Sequence, residues 1–176
     1  MNCNVNKMKI NHFKLNCVAS PQWDNAAKRG TRIIFMRGLP RSGKTTLAKQ
    51  YEAVLKGWTR FTLDEYRLAT YGTRYNVVGE SHATAAMYTA IRVFLNNGLN
   101  IILDDTHSSA FSLRQVFLLD TKAQYITITP NTDCYNRLTP QGNKIPLRAM
   151  QRIHTQLVTI NPETIRTQVI NELCQN

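Results

Sequence analysis

Two kinds of hydrophobic pattern alternate along this chain, and together they predict its secondary structure. Short apolar runs predict β-strands at residues 32–36, 58–63, 100–104 and 124–129. Between them, apolar residues recur every three or four positions. This spacing predicts helices at residues 44–56, 81–97, 109–119, 132–138, 145–158 and from Asn161 onward. The polar stretch 69–80 is interpreted as a loop.

Strands that alternate with helices in this way predict an α/β domain. The expected architecture has three layers, in which a mostly parallel sheet carries helices on both faces. Residues 1–30 show no comparable pattern, and we interpret them as an N-terminal extension to one domain formed by residues 31–176.

The chain has neither a predicted membrane span nor a recognisable secretory signal. A helix needs about 20 apolar residues to cross a bilayer, and no apolar run in this chain is nearly that long. Residues 1–10 are rich in Asn and Lys, unlike the apolar core of a secretory signal. The cysteines, at positions 3, 17, 134 and 174, form no close pair and have no histidine at metal-ligand spacing. We therefore expect reduced thiols and a cytoplasmic protein, in the cell or in a host cell.

The charge of the chain is strongly positive and unevenly distributed. The net charge is +11, and residues 1–60 carry twelve Lys and Arg residues against two acids. A basic field of this kind attracts polyanions, so nucleic acid is the expected partner class. A merely soluble basic protein would show the same charge.

The loop after the first predicted strand carries the pattern G-x-x-x-x-G-K-T, at residues 38–45. This is the phosphate-binding P-loop, in its required position between a strand and a helix. Glycines let backbone N–H groups turn inward around phosphate oxygens, and the positive end of the helix dipole faces the same anion. Lys44 is expected to reach the β- and γ-phosphates of ATP, and Thr45 to place its hydroxyl on Mg²⁺. The predicted nucleotide-binding residues are Gly38, Arg41, Ser42, Gly43, Lys44, Thr45 and Thr46.

The second predicted strand leads into an acid and an arginine three residues apart, Asp64 and Arg67. At the start of a helix both side chains would face one cleft. Asp64 could then accept a proton from an attacking hydroxyl while Arg67 holds the acceptor. An Asp that caps a helix beside a solvated Arg would give the same spacing.

The third predicted strand ends in a pair of acids, Asp104 and Asp105. Such a pair resembles the Walker-B acid that assists Mg²⁺, and we assign this role, together with substrate contact, to Asp105. Thr106 and His107 follow in the loop as further candidates for substrate contact. A lone loop histidine is more often incidental.

Basic residues flank a turn between two predicted helices near the C-terminus. Arg137 precedes the turn at residues 140–143, and Lys144 follows it. A basic loop that closes over the phosphates would supply positive charge in the transition state, which makes this segment a candidate lid. An ordinary turn with solvated cations is the alternative.

Taken together, these segments resemble the kinase domain of phage polynucleotide 5′-kinases, within the small P-loop kinases. The matching pieces are GLPRSGKTTLA, LDEYR, IILDDTH and NRLTPQGNKIPLRAM, at residues 38–48, 63–67, 101–107 and 136–150. The resemblance implies a P-loop NTPase fold with a helical lid. It also implies that Asp64 is the general base on a 5′-hydroxyl, that Arg67 binds the acceptor's phosphate, that Asp105 supports the site and that Arg137 is a lid arginine.

The chain departs from the family pattern at two positions. Gln141 stands where the lid usually has an arginine, and Arg41 stands in the P-loop where glycine is common. A C-terminal phosphatase-like domain is not expected. The implied activity is transfer of the ATP γ-phosphate to the 5′-hydroxyl of a polynucleotide. A kinase of small molecules and a non-catalytic, nucleotide-dependent nucleic-acid-binding module are the alternatives.

Overall fold

The computed structural model describes residues 30–73, 79–128 and 145–175. Within these ranges the chain forms four strands and six helices. In chain order they are β1 (Ile33–Arg37), α1 (Lys44–Val54), β2 (Trp58–Phe61), α2 (Leu63–Tyr71), α3 (Glu80–Asn96), β3 (Asn100–Leu103), α4 (Ala110–Leu119), β4 (Gln124–Thr127), α5 (Leu147–Thr159) and α6 (Pro162–Gln175). No helix in the described ranges is long and apolar enough to cross a membrane.

The four strands form one parallel sheet in the order β2-β3-β1-β4. The central strands β1 and β3 are buried on both faces, which explains why they read as continuous apolar runs. The carboxyl ends of β1 and β3 lie side by side, with Phe35 opposite Leu103. The loops that carry the predicted chemistry therefore leave the sheet at one edge.

Alternate strand residues pack against helices on opposite faces of the sheet. One face carries a cluster that includes residues of α3, α4 and α6, among them Ile33, Phe35, Leu103, Ile91, Phe117 and Val169. The other face packs mainly against α1, through Ile34, Met36, Ile102, Ile126, Ala48 and Tyr51. The predicted three-layer α/β fold is confirmed.

Helix bounds near the second strand differ from the prediction. β2 ends at Phe61, and α2 begins at Leu63 and continues to Tyr71, into the stretch interpreted as a loop. α2 ends where Gly72 adopts a left-handed backbone, with φ 68°. The predicted helix at 132–138 and the turn at 140–143 lie outside the described residues, and so do residues 1–29 of the predicted extension at 1–30.

The predicted helix starts at Ser109 and Asn161 are confirmed. The Ser109 hydroxyl accepts a hydrogen bond from the Ser112 amide at 3.1 Å. Asn161 Oδ1 accepts one from the Glu163 amide at 2.9 Å. The expected apolar face of α6 is only partly buried, since Val169 is enclosed while Leu173 is 52% exposed.

Arg37, the last residue of β1, binds the C-terminal carbonyls of α5. Its Nη1 donates to Leu157 O at 2.9 Å, and its Nη2 donates to Gln156 O at 3.2 Å and Ile160 O at 2.8 Å. The side chain is buried, and burial lowers the pKa of Arg37. A cation at this position satisfies carbonyls that a helix end leaves without partners.

Replacing Arg37 with alanine is expected to lower the free energy of unfolding by about 2–4 kcal/mol, because three carbonyls lose a charged donor. Urea denaturation measures this change. Arg152→Ala, an exposed arginine on α5 itself, is the matched control and should change stability by less than about 0.5 kcal/mol. Equal stability of the two variants would contradict the role of Arg37.

Candidate functional site

The P-loop is a tight turn between β1 and α1. Gly38 has no room for a side chain, because a Cβ there would lie 2.9 Å from Ser42 Oγ and 3.1 Å from Ile128 O. Its amide donates to Thr106 O at 3.2 Å, which joins the P-loop to the loop after β3. Gly43 adopts φ 99° immediately before α1 begins. The sequence pattern therefore produces the compact loop that it predicts.

The positive groups of the loop converge at the start of α1. The Lys44 ammonium donates to Leu39 O at 2.7 Å, and its side chain is buried. The first turn of α1 contains no acid, and its N-cap Gly43 has no side chain with which to engage the first amides. Thr45 and Thr46 are exposed in the same turn. This arrangement is suited to binding a phosphate chain.

Arg41 shows why glycine is common at its position. Its backbone is left-handed, with φ 61°, a conformation that glycine adopts freely and other residues adopt at a cost of about 1–2 kcal/mol. The loop keeps its shape despite the substitution. Arg41 thus adds a cation to the loop without removing the turn.

The carboxylate beside Thr45 is that of Asp104, whereas the sequence analysis paired Thr45 with Asp105. The Thr45 side chain interacts with the Asp104 carboxylate, and the charge of Lys44 lies near it. Side chains alternate along a strand, so Asp104 lies on the side of Ile102 and α1. Asp105 lies on the other side, where its two carboxylate oxygens accept from the Leu63 amide at 3.2 and 3.3 Å.

Asp104 and Thr45 fit a magnesium site. Burial raises the pKa of Asp104, against the effects of Thr45, Arg60 and Lys44. Its Oδ1 is buried and accepts no hydrogen bond of good geometry from the described residues. Mg²⁺ is commonly bound through one or two carboxylates together with substrate phosphates. The described residues contain no group of three His, Cys, Asp or Glu side chains that could hold a metal ion.

Asp104→Asn is expected to weaken nucleotide binding in the presence of Mg²⁺ by about 10–100-fold. The physical reason is loss of the buried carboxylate next to Thr45. Titration with a fluorescent ATP analogue measures the change. The same titration in EDTA is the control, and there the variant should match the wild type. An equal loss in EDTA would mean that Asp104 shapes the loop and does not bind the metal.

Arg60, a residue that the sequence analysis did not single out, also binds Asp104. Its Nη1 donates to Asp104 Oδ2 at 3.2 Å, and it also pairs with Glu65 and Glu52. Arg60 lies within β2, where nothing in the local pattern indicates a partner. The contact exists because β2 pairs with β3 and brings Arg60 opposite Ile102.

Several of the basic residues counted in the sequence have partners inside the fold. Arg37 and Arg60 bind the groups described above, and Arg32 donates to the carbonyls of Leu95 and Leu99 at the end of α3. Lys44 is enclosed in the P-loop. Part of the positive charge of residues 1–60 therefore stabilises the structure and is not displayed on the surface.

Asp64 and Arg67 lie together at the start of α2, as predicted. Arg67 Nη1 donates to Asp64 Oδ1 at 2.6 Å. Glu80, which the sequence analysis missed, accepts from Arg67 Nε at 2.7 Å and from Nη2 at 2.5 Å. The charges of Asp64 and Arg67 also act on Asp105, whose pKa is raised to about 8, mainly by burial.

His107 is buried, contrary to what a loop position implies. Its Nδ1 lies 2.8 Å from Met36 O, and its ring packs on Phe35 with centroids 5.1 Å apart. Burial lowers the pKa of His107 to about 4, so the ring is neutral at physiological pH. These contacts hold the loop after β3 against β1. The predicted substrate contacts of Thr106 and His107 stay predictions.

The predicted lid residues Arg137, Gln141 and Lys144 lie outside the described residues. The chain re-enters the described part beside the P-loop. There Leu39 packs with Met150 and Leu157 of α5, and Ile145 contacts the same cluster. The residues that directly follow the candidate lid in the chain are thereby packed against Leu39 of the P-loop.

Comparison with known proteins identifies one family and 33 similar chains among the solved structures. The AAA domain family matches residues 33–137, more than half of the chain. A chain of the Pnkp1/Rnl/Hen1 RNA repair complex is 24% identical, with a TM-score of 0.62, and the match covers 74% of this chain and 46% of that one. A chain in a second structure of the Pnkp1/Rnl/Hen1 complex is 22% identical, with a TM-score of 0.55. That match covers 65% of this chain and 40% of that one.

The third similar structure is Kti12 of Chaetomium thermophilum in complex with ADP-AlF3. It is 17% identical, with a TM-score of 0.54, and the match covers 81% of this chain and 97% of that one. At these identities the likeness shows the fold alone. The chain spans less than half the length of the two Pnkp1/Rnl/Hen1 chains. No curated protein matches its sequence.

Proposed function

The chain belongs to the AAA domain family, as a P-loop nucleotide-binding domain of the kinase-like type, and from that premise we propose that it transfers the γ-phosphate of ATP to the 5′-hydroxyl of a polynucleotide. One observation carries the proposal. The acid and the arginine at the start of α2 pair at 2.6 Å, on the sheet edge where the P-loop also leaves the sheet. This placement supports a donor site at the P-loop and an acceptor site at the start of α2, on the same edge of the sheet.

Each residue of the site has a separate role in the proposed reaction. Lys44 and the first amides of α1 bind the phosphates of ATP. Thr45 and Asp104 would hold Mg²⁺, whose chemistry there is to supply positive charge beside the phosphates. The hydroxyl oxygen forms a bond to the γ-phosphorus, its proton passes to Asp64, and the bond to the bridging oxygen of ADP breaks. Arg67 binds the acceptor's phosphate, and Arg137 and Lys144 of the lid add positive charge.

Two observations support a polynucleotide as the acceptor. The net charge of +11 favours a polyanion. One of the similar structures is a chain of the Pnkp1/Rnl/Hen1 RNA repair complex. Gln141 in place of a lid arginine predicts a slower reaction than in relatives that have this arginine, because a cationic donor is missing from the transition state.

The test uses the full chain with γ-labelled ATP and Mg²⁺. Oligonucleotides of RNA and of DNA, each with a 5′-hydroxyl or a 5′-phosphate, are incubated separately, alongside a panel of small hydroxyl-bearing metabolites. We expect label on the 5′-hydroxyl oligonucleotides and none on those already phosphorylated. Label on a metabolite alone would establish a small-molecule kinase. ATP-dependent retention of oligonucleotides without any labelling would establish a binding module.

A further inference from the structure

Glu80 and Arg67 form an ion pair with two hydrogen bonds at the proposed acceptor site. Glu80 is the first residue of α3, and its two oxygens meet Nε and Nη2 of Arg67 at 2.7 and 2.5 Å. Two parallel hydrogen bonds of this kind fix both the position and the plane of a guanidinium. The Arg67 side chain is only 15% exposed, whereas the Glu80 side chain is 47% exposed, so the guanidinium is held at the edge of the fold by an acid that water reaches.

Among the described residues, the hydrogen bonds of the Arg67 guanidinium go to two acids. A guanidinium has five N–H donors in a planar fork. Glu80 occupies the Nε side, and Asp64 accepts from Nη1 at 2.6 Å. Two N–H groups remain, one on Nη1 and one on Nη2, and an acceptor's phosphate would meet the guanidinium at this edge. The orientation of this edge depends on Glu80.

We propose that Glu80 is a positioning residue, which holds the Arg67 guanidinium in one orientation and thereby places both the acceptor's phosphate and Asp64. The proposal rests on the proposed function. Glu80 acts through Arg67 and contacts no reacting atom. Because it stands on α3 and Arg67 on α2, the pair also sets the two helices against each other at the acceptor site. A loosely held arginine would bind the same phosphate in several orientations, few of which align the hydroxyl with ATP.

The first test measures the kinetics of Glu80→Gln in the full chain. Glutamine keeps the size of the side chain but offers only one acceptor oxygen, so one of the two bonds to Arg67 is lost. We expect kcat/KM for the 5′-hydroxyl oligonucleotide to fall by about 10–100-fold, while KM for ATP stays within twofold. When Arg67 is already replaced with alanine, Glu80→Gln should not lower kcat/KM further, because Glu80 acts through Arg67.

The matched control is Glu172→Gln. Glu172 pairs with Arg114 between α4 and α6 through two contacts of 2.7 and 2.6 Å, away from the site. This variant loses a similar interhelical pair, and its oligonucleotide kinetics should be unchanged. Glu80→Asp, which keeps the charge but shortens the reach, should lie between the wild type and Glu80→Gln. If Glu80→Gln fails to fold, Glu80→Asp is used in its place.

The second test does not depend on catalysis. In protein labelled with ¹⁵N-arginine, the signal of Arg67 is identified by its absence in Arg67→Lys. Rotation about its Nε–Cζ bond should be slow in the wild type and at least tenfold faster in Glu80→Gln. Unchanged rotation would overturn the proposal, and so would faster rotation with unchanged oligonucleotide kinetics. If the wild type labels no oligonucleotide, the proposed function fails, and the rotation measurement alone decides whether Glu80 positions Arg67.

Discussion

Replacing Lys44 with alanine is expected to reduce phosphoryl transfer by about 10³-fold. The Lys44 ammonium is enclosed by the loop, 2.7 Å from Leu39 O, at the start of a helix without acids in its first turn. In the ATP complex, phosphate oxygens that carry full negative charge would take the place of the Leu39 carbonyl. Single-turnover labelling measures transfer, and a fluorescent ATP analogue measures binding.

Lys49→Ala is the matched control for this prediction. Lys49 lies on the same helix, α1, with its side chain exposed to solvent. Its removal takes away one positive charge without touching the loop, so transfer should stay within twofold. If Lys44→Ala retained transfer to within tenfold of the wild type, the P-loop would not be the phosphate-binding site.

Asp64→Asn is expected to lower kcat by about 10²–10⁴-fold and to leave nucleotide affinity unchanged. Asparagine is nearly isosteric, so it can still accept the 2.6 Å hydrogen bond from Arg67, but its amide cannot take up the proton of the attacking hydroxyl. Measuring both kcat and nucleotide affinity distinguishes the loss of a proton acceptor from damage to the nucleotide site. Labelling of a 5′-hydroxyl oligonucleotide gives kcat, and titration with the fluorescent analogue gives affinity.

Glu163→Gln provides the comparison for Asp64→Asn. Glu163 is another exposed acid in the first turn of a helix, α6, which packs away from the P-loop. Its variant should label the oligonucleotide at the wild-type rate. Wild-type kcat in Asp64→Asn, together with an inactive Lys44→Ala, would leave ATP chemistry in place and assign the proton acceptor to another residue.

The features that sequence reasoning identified correctly are local. The turn at residues 38–45 requires small residues at fixed spacing, and Gly38 shows the reason, since a Cβ there would clash with Ser42 and Ile128. Ser109 caps α4, because its hydroxyl accepts a hydrogen bond from the amide of Ser112, three residues later in the chain. Asp64 and Arg67 meet because three positions make nearly one turn of a helix. In each case the partners are near neighbours in the chain.

The errors and omissions concern partners that are far apart in the chain. Asp104 and Asp105 are adjacent and chemically equal, and only strand alternation decides that Asp104 lies beside Thr45. Glu80 stood in a stretch interpreted as the end of a loop, although it is the first residue of α3. An acid at a helix start was the one signal that could have identified it, but that signal does not name its partner.

The chain by itself determined the P-loop, the α/β alternation and the pairing of Asp64 with Arg67, because backbone geometry within one turn or one strand follows from neighbouring residues. Only the tertiary structure decided which carboxylates surround those groups. Glu80 reaches Arg67 through the packing of α3 on α2, and Arg60 reaches Asp104 through the pairing of β2 with β3. Arg37 binds α5 across 120 residues of chain. Contacts of this range depend on how elements pack, and no local pattern records that packing.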